Sequence, residues 1–493
     1  MAHDLRQQVR LLLDEEVGTL HRDAPDRVAL VYPSPYRVGM SSLGFQAMYR
    51  EINSNPSRVA ERSFLPDDPE AYRTSRTPLF TFESERPVGN YPVVALSVAY
   101  EIELAGLIEV LELSGIPPLA EDRDDSHPFI LAGGPLTFSN PLPLAPYVDA
   151  VLLGEADETI HPALDIIFGT SSRDEALTAL RREIPSAWIP SADGEELREL
   201  GMSSRIPATG QIITPNTELR DMFLIEGERG CSRGCQYCVM RRTTNGGMRI
   251  VPAETVLALI PDHAKRVGLV GAAISDHPKI THIVNTLADQ GRQVGLSSLR
   301  PDKLKEEFVT ALRRAGQSTL TTAMDGASER MRKLVDRRAK LEHLVRAAEH
   351  VRKHRFKRLK LYLILGLPGE TDEDIDELIE FSTGLSKIAP LSLGIAPFVS
   401  KRRTPLDNQP FAGIKLVDKR LTRLRRGVKG RVDIRSTSSR WAWIEYVLAQ
   451  GGAAEGRAVL DAVHAGGKFR DWKNAFDALP ERPRAKGVLP VVG

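Results

Sequence analysis

From residue 221 onward the sequence repeats one pattern: a short apolar, β-rich run, then an amphipathic stretch of helical period. The run "DMFLIEGE" (221–228) opens the series, followed by "VGLVGAAI" (267–274), "VGLSS" (294–298), "STLTTAM" (318–324), "LKLYLILG" (359–366) and "LSLGIA" (391–396). Between them the spacing predicts helices over 253–266, 279–290, 301–315, 328–335, 341–354 and 373–385. Apolar strands alternating with amphipathic helices imply parallel βα units covered on the outside. Six such units predict a partial (β/α)6 barrel over 222–400, with ligands at the carboxyl ends of its strands.

The first 185 residues carry a second α/β pattern. Strands are predicted at 28–32, "VVALSVAY" (93–100), "FILAGGP" (129–135) and "VDAVLLGEADE" (148–158), with a helix over Glu103–Leu113. This reads as a doubly wound, Rossmann-like domain that binds ligands in the crevice beyond its strand ends. The stretch 186–221 has prolines and little periodicity and is expected to be a linker. Residues 401–493 are expected to form a small, mostly helical extension. Its basic run (415–435) and Trp441, Trp443 and Trp472 could touch phosphates and stack on bases. A solvated Lys/Arg face and core tryptophans are the more common meaning of such a pattern, which weighs against a nucleic-acid partner.

Composition narrows the class further. Hydrophobic residues at 42% and charged residues at 27% are the balance of a globular chain, and 66 Lys plus Arg nearly cancel 65 Asp plus Glu. The amino-terminal apolar run is three leucines flanked by acids, unlike a signal peptide. No stretch reaches the roughly 20 apolar residues of a membrane span. All three cysteines, Cys231, Cys235 and Cys238, lie in "ERGCSRGCQYCVMRR" with CxxxCxxC spacing. They cannot form a closed disulfide set, and a reducing, cytoplasmic setting is expected.

Four readings of that cluster compete: structural zinc, a disulfide with a spare thiol, a lone catalytic cysteine, and an iron–sulfur cluster on three thiolates. Zinc prefers four closed ligands, and His263 is too distant to be the fourth. A single nucleophile needs no companions. The surroundings favour the cluster: Gly230 and Gly234 allow close wrapping of the backbone, Tyr237 offers a flat face, and Arg229, Arg233 and Arg241 would favour thiolates.

CxxxCxxC with an aromatic before the third cysteine resembles the signature of the radical S-adenosylmethionine (SAM) superfamily. The resemblance implies a 4Fe–4S cluster on Cys231, Cys235 and Cys238, with the open iron chelating S-adenosyl-L-methionine. It also implies a 5′-deoxyadenosyl radical after one-electron cleavage, and an electron donor such as flavodoxin or ferredoxin. The strand ends carry Ser275, Asp276 and His277; Ser297, Ser298 and Arg300; Asp325 and Arg330; and "GLPGET" (366–371). By the resemblance, Ser298, Asp325, Arg330 and Gly366 are candidates for holding SAM, with Tyr237 beside the cluster. His277 reads as a surface residue more readily than as an acid or base. About half of such a list is ordinary loop polarity.

The "GGP" turn and the "VDAVLLGE" strand upstream of the cysteines resemble the cobalamin-binding domain of cobalamin-dependent radical SAM proteins. "YPSPYRVGMSSLGFQAMY", "SSLRPD" and "KLYLILGLPGETDEDI" resemble one branch of that class, over roughly 28–479. This implies cobalamin against loop 34–42 and turn 133–136, with Ser34, Gly39, Ser41, Gly133, Gly134 and Leu136 as candidate contacts. The usual DxHxxG is absent: Asp125 and His127 are present, but Ile130 stands where glycine should. Methylthiotransferases share the layout but carry amino-terminal cysteines, and no cysteine precedes Cys231. The reading is a cobalamin-dependent radical SAM methyltransferase acting at an unactivated carbon of a small-molecule or unknown substrate, through the radical and methylcobalamin. A radical SAM oxidoreductase or cyclase and a non-catalytic iron–sulfur or cobalamin sensor remain the alternatives.

Overall fold

A computed structural model of the protein describes residues 2–480 except 243, 245, 297 and 298. The amino-terminal sheet has the order β2-β1-β3-β4-β5-β6. Its strands are β1 (Asp26–Tyr32), β2 (Arg58–Phe64), β3 (Val93–Ser97), β4 (Phe129–Gly133), β5 (Ala150–Leu152) and β6 (Ala187–Trp188). All neighbours run parallel except β5 and β6, which are antiparallel. The chain steps one way from β1 to β2 and the other way to β3, which opens a crevice at the carboxyl ends of the strands.

Strand β2 is missing from the pattern expected of the sequence, for a physical reason. It is buried along its whole length yet reads "RVAERSF". Each charge finds a partner far along the chain. Arg62 donates to Glu16 Oε2 at 2.7 Å and Glu83 Oε1 at 2.6 Å, Arg58 pairs with Asp165, and Glu61 accepts from Thr81 Oγ1 at 2.9 Å. Burial of paired and hydrogen-bonded charge is tolerated where unpaired charge is not.

The second body holds two parallel arcs. One is β11-β10-β7, from Gln293–Leu296, Arg266–Val270 and Met222–Glu226. The other is β12-β13-β14-β15, from Thr319–Asp325, Arg358–Leu365, Leu391–Pro397 and Asp433–Ser436. A bridge between Leu299 and Thr322 joins the arcs, and the hairpin of β8 (Glu228–Arg229) with β9 (Arg249–Ile250) flanks the cysteines. The apolar faces of the outer helices and the strands form one core.

Two segments depart from expectation. The stretch 186–221 is woven into both bodies: β6 completes the first sheet, Ile213 bridges Val17, and Thr209 bridges Ile225. The carboxyl-terminal extension adds β15 to the barrel, then returns to the first body. Its helices Ser439–Gln450, Ala453–His464 and Phe469–Asp477 contribute Ile444, Leu448, Val459 and Trp472 to the amino-terminal core. Tyr147 donates to Gly456 O at 2.6 Å, and Asn140 Nδ2 donates to Leu448 O and Gly451 O, each at 2.9 Å. Trp441 and Trp472 meet edge to face, and the basic helix Ile414–Val428 pairs Arg420 with Glu370 and Arg423 with Asp376. Among the described residues no helix is long and apolar enough to cross a membrane.

Candidate active site

The cysteine loop leaves β8 at the mouth of the barrel. Gly230 sits at φ +83°, and a Cβ there would fall 1.9 Å from Gly247 O, so only glycine admits this crossing. Gln236 N donates to Val335 O at 3.1 Å, and Leu406 N to Gln236 O at 3.1 Å, which fixes the loop between two later segments. Cys235 is buried, while Cys231 and Cys238 are half-buried. Burial raises all three thiols, Cys238 to about 11, and each neighbouring thiolate raises it further. Thiols so placed are stable as thiolates together only around a multiply charged metal centre, so the donor set fits an iron–sulfur cluster.

Two of the three arginines expected to favour thiolates, Arg229 and Arg233, are engaged elsewhere. Arg229 binds Glu226 at 2.7 Å, Asp157 at 3.0 Å and Glu155 at 3.2 Å, clamping the barrel to the amino-terminal body. Arg233 pairs with Asp276 at 3.0 Å, and Arg241 Nε has no hydrogen-bond partner among the described residues. Arg337, which sequence reasoning missed, lies against Cys235 instead. No spacing rule announces it, because it reaches the loop from the far side of β12.

Asp325 ends β12 where the pairing register shifts, buried and at φ +64°. Its Oδ2 lies 2.7 Å from Arg337 Nε, and the Tyr237 side chain stands beside the carboxyl. Burial pushes the Asp325 carboxyl up, against the pull of Arg337. The ring of Tyr237 packs on the apolar group of Met331, Val335, Leu367 and Phe398. Cys235, Tyr237, Asp325 and Arg337 therefore come together at the barrel mouth.

Other candidates lie apart. Arg330 is half exposed, donates to Gly369 O at 2.9 Å and pairs with Asp374, tying two outer helices together. Gly366 donates its N–H to Glu370 Oε1 at 2.8 Å in a turn against Ala412. His277 is buried rather than surface-exposed: Nε2 donates to Val251 O at 2.8 Å and Nδ1 accepts from Lys279 N. Ser275 Oγ accepts from Arg300 N at 3.0 Å, and Arg300 pairs with Asp276 at 2.8 Å. Ser297 and Ser298 lie outside the described residues.

A cavity of about 400 Å³ runs between the carboxyl ends of the amino-terminal strands and the cysteine loop. Gly133, Pro135 and Phe138 line it from one side, and Glu228, Gly230 and Met240 from the other. A Cβ on Gly133 would meet only Leu152 O, at 3.6 Å, so this glycine opens onto the cavity. Gly134 also lines the cavity, although a Cβ there would fall 2.6 Å from Val98 O; Gly39 does not, and its Cβ would fall 2.6 Å from the Phe64 ring. Leu136 is buried and donates its N–H to Val98 O at 3.1 Å. Ser34 donates to Glu103 at 2.9 Å and Ser41 to Arg37 O at 2.7 Å, both away from the cavity. The expected loop 34–42 contains a short helix, Tyr36–Gly39, and the chain reaches the cavity from Ser42 to Gly44.

Glu228 was not singled out from sequence, although it immediately precedes the Arg-Gly-Cys run. It is buried on the cavity wall, with Oε1 accepting from Ala273 N at 2.6 Å and Oε2 without a hydrogen-bond partner among the described residues. Burial pushes its carboxyl up to about 7. His127 is held by Asp124 just ahead of β4, at the end of the sheet opposite the cavity.

Comparison with known proteins agrees with this geometry. Residues 225–382 match the family model of the radical SAM superfamily, and residues 44–190 match that of the amino-terminal region of radical SAM proteins. An uncharacterized protein of Methanocaldococcus jannaschii is 23% identical over 395 residues, covering 78% of this chain and 80% of its own. Ribosomal protein uS12 methylthiotransferase RimO of Thermotoga maritima is 25% identical over 228 residues, 41% of this chain and 53% of that enzyme. Among solved structures, the radical S-adenosylmethionine methyltransferase TsrM from Kitasatospora setae, with tryptophan and a SAM analogue bound, has the same overall fold. Its TM-score is 0.52 at 14% identity, over 80% of this chain and 76% of that one.

Proposed function

We propose that this protein, a radical SAM enzyme by the match of residues 225–382 and its three-thiol loop, is a cobalamin-dependent methyltransferase acting at an unactivated carbon. The observation that carries the reading is the shared cavity: Gly133 at the end of β4 and Gly230 and Met240 of the cysteine loop line one space. A cofactor seated over the amino-terminal strand ends and a radical source held by the three cysteines would therefore act on the same molecule. When bound, the cluster with SAM supplies a 5′-deoxyadenosyl radical, and cobalamin supplies a transferable methyl group.

The chain's own residues have definable parts in this reading. Cys231, Cys235 and Cys238 hold the cluster, and Arg337 balances negative charge beside Cys235. Gly133 lets a large planar ligand approach the backbone. The Arg229 clamp ties the barrel to the amino-terminal body beside the cavity. His127, at the far end of the sheet, would take no part in holding the corrinoid. Glu228 offers a proton-accepting carboxylate on the cavity wall, poised by burial near neutral pH.

The test is to reconstitute the protein with iron, sulfide and cobalamin, then measure bound cobalamin by its absorption and SAM cleavage by 5′-deoxyadenosine release. Wild-type protein is expected to retain cobalamin and cleave SAM, and Gly133→Trp to lose cobalamin while keeping its iron. A wild-type protein that cleaves SAM but binds no cobalamin would replace this reading with a radical SAM oxidoreductase. A protein that holds its cluster or cobalamin but cleaves no SAM would be a non-catalytic sensor.

A further inference from the structure

On the outer wall of the barrel, away from the cavity, the start of helix Glu306–Arg314 meets the end of helix Leu341–Lys353. One ligand atom from each of Glu306, His350 and His354 lies within 4.8 Å of the others. His354 Nε2 is 3.0 Å from Glu306 Oε1, and His350 Nδ1 is 3.5 Å from Glu306 Oε2. Ligand atoms about 2.0–2.1 Å from a tetrahedral zinc ion stand roughly 3.3 Å apart, so this spacing needs little adjustment.

The tautomer of His350 supplies the second observation. Its Nε2 lies 3.0 Å from Leu304 O, and a carbonyl can only accept, so Nε2 carries the proton. The side chain is 9% exposed. With a proton on Nε2, Nδ1 is the ring atom that faces a carboxylate oxygen of Glu306, and a cation placed between the two would be held by both. A ring nitrogen anchored on a backbone carbonyl, with the other nitrogen free, is also how metal-binding histidines are oriented.

The facing charges permit entry of an ion. Lys353 Nζ rests 2.7 Å from Glu306 Oε1, but its side chain is 64% exposed and can swing into water. Arg346 stands a turn earlier on the same helix, and Arg313 Nε donates to His354 O at 3.2 Å. His354 would bind through Nε2, its proton moving to Nδ1.

We propose that Glu306, His350 and His354 form a binding site for a divalent transition metal of the zinc type, which staples two outer helices of the barrel. Two imidazoles and one carboxylate suit Zn²⁺ and its neighbours in the first transition row and disfavour Mg²⁺. The site shares no residue with the cysteine loop, and it stands whether or not cobalamin binds.

The test is a calorimetric titration of the full chain with ZnCl2 at neutral pH, after cluster reconstitution has occupied the cysteines. MgCl2 serves as the control. The wild type is expected to take one equivalent of Zn²⁺ tightly, to melt at a higher temperature with it, and to ignore Mg²⁺. X-ray absorption at the zinc edge is expected to show nitrogen and oxygen neighbours without sulfur. Glu306→Gln, at a half-exposed side chain, and His354→Ala, at a largely buried one, are each expected to weaken binding at least roughly tenfold. Equal zinc affinity in the wild type and both variants, sulfur in the zinc shell, or zinc binding no tighter than magnesium would each overturn the proposal.

Discussion

Arg337 Nε lies 2.7 Å from Asp325 Oδ2, and the same guanidinium reaches the thiol of Cys235. One cation thus serves a buried carboxylate and a cluster ligand at once. Removing it in Arg337→Met leaves Asp325 buried without its counter-charge, a change that costs about 3–5 kcal/mol. Denaturant unfolding of the variant should show that loss. Adding Asp325→Asn should recover part of it, because asparagine tolerates the left-handed backbone and carries no charge.

The cysteines are expected to act as a set. Cys231→Ala, Cys235→Ala or Cys238→Ala should each abolish stable iron and sulfide retention and reductive SAM cleavage, with little change in far-ultraviolet circular dichroism. Iron analysis after reconstitution checks this. A single variant with full iron content and cleavage would show that the three thiols do not share one centre.

Arg62 is the most consequential buried charge in the amino-terminal sheet. It lies between Glu16 and Glu83, with its guanidinium 5.0 Å from the centre of the Tyr49 ring. Arg62→Ala should destabilise the protein by about 3–5 kcal/mol and lower Tm by several degrees, as loss of one member of a buried ion group does. Arg62→Lys should rescue little, because an ammonium cannot bind both carboxylates with a planar fork.

Glu370 predicts a pH dependence. Burial pushes its carboxyl up to about 7, against the Gly366 N–H and Arg420. An unfolded glutamate titrates near about 4.3. Between these values the folded state keeps a proton that the unfolded chain has released. This contribution is therefore full below about pH 4 and is lost as pH rises through 7. Urea unfolding at about pH 5 and about pH 8 should show a decline of roughly 2–3 kcal/mol that Glu370→Gln lacks. Equal declines in both proteins would count against it.

Much of this protein was legible in local pattern. The helix over Glu103–Leu113 has the limits its periodicity predicts, and the apolar runs at 318–324 and 359–366 became β12 and β13. Those signals are short-range: an apolar face repeats every two residues or every three to four, whatever lies across from it. The clustering of all three thiols within eight positions is likewise a property of the sequence itself.

The rest depended on partners that no local window contains. β2 carries no apolar strand pattern, and it is buried only because Glu16, Glu83 and Asp165 are brought beside its arginines. Arg229 and Arg233 read as charges for the cysteines until Asp157 and Asp276 claim them, and Arg337 takes that place from beyond β12. His277 reads as an exposed loop residue until Val251 O meets its ring, and Trp472 reads as a core residue whose partners appear only when the last helices fold back onto the first sheet. Hydrophobic periodicity determined which elements form. Only the tertiary structure decided which charges cancel and which face the site, because the energy of a buried charge depends on groups in contact rather than on neighbours in sequence.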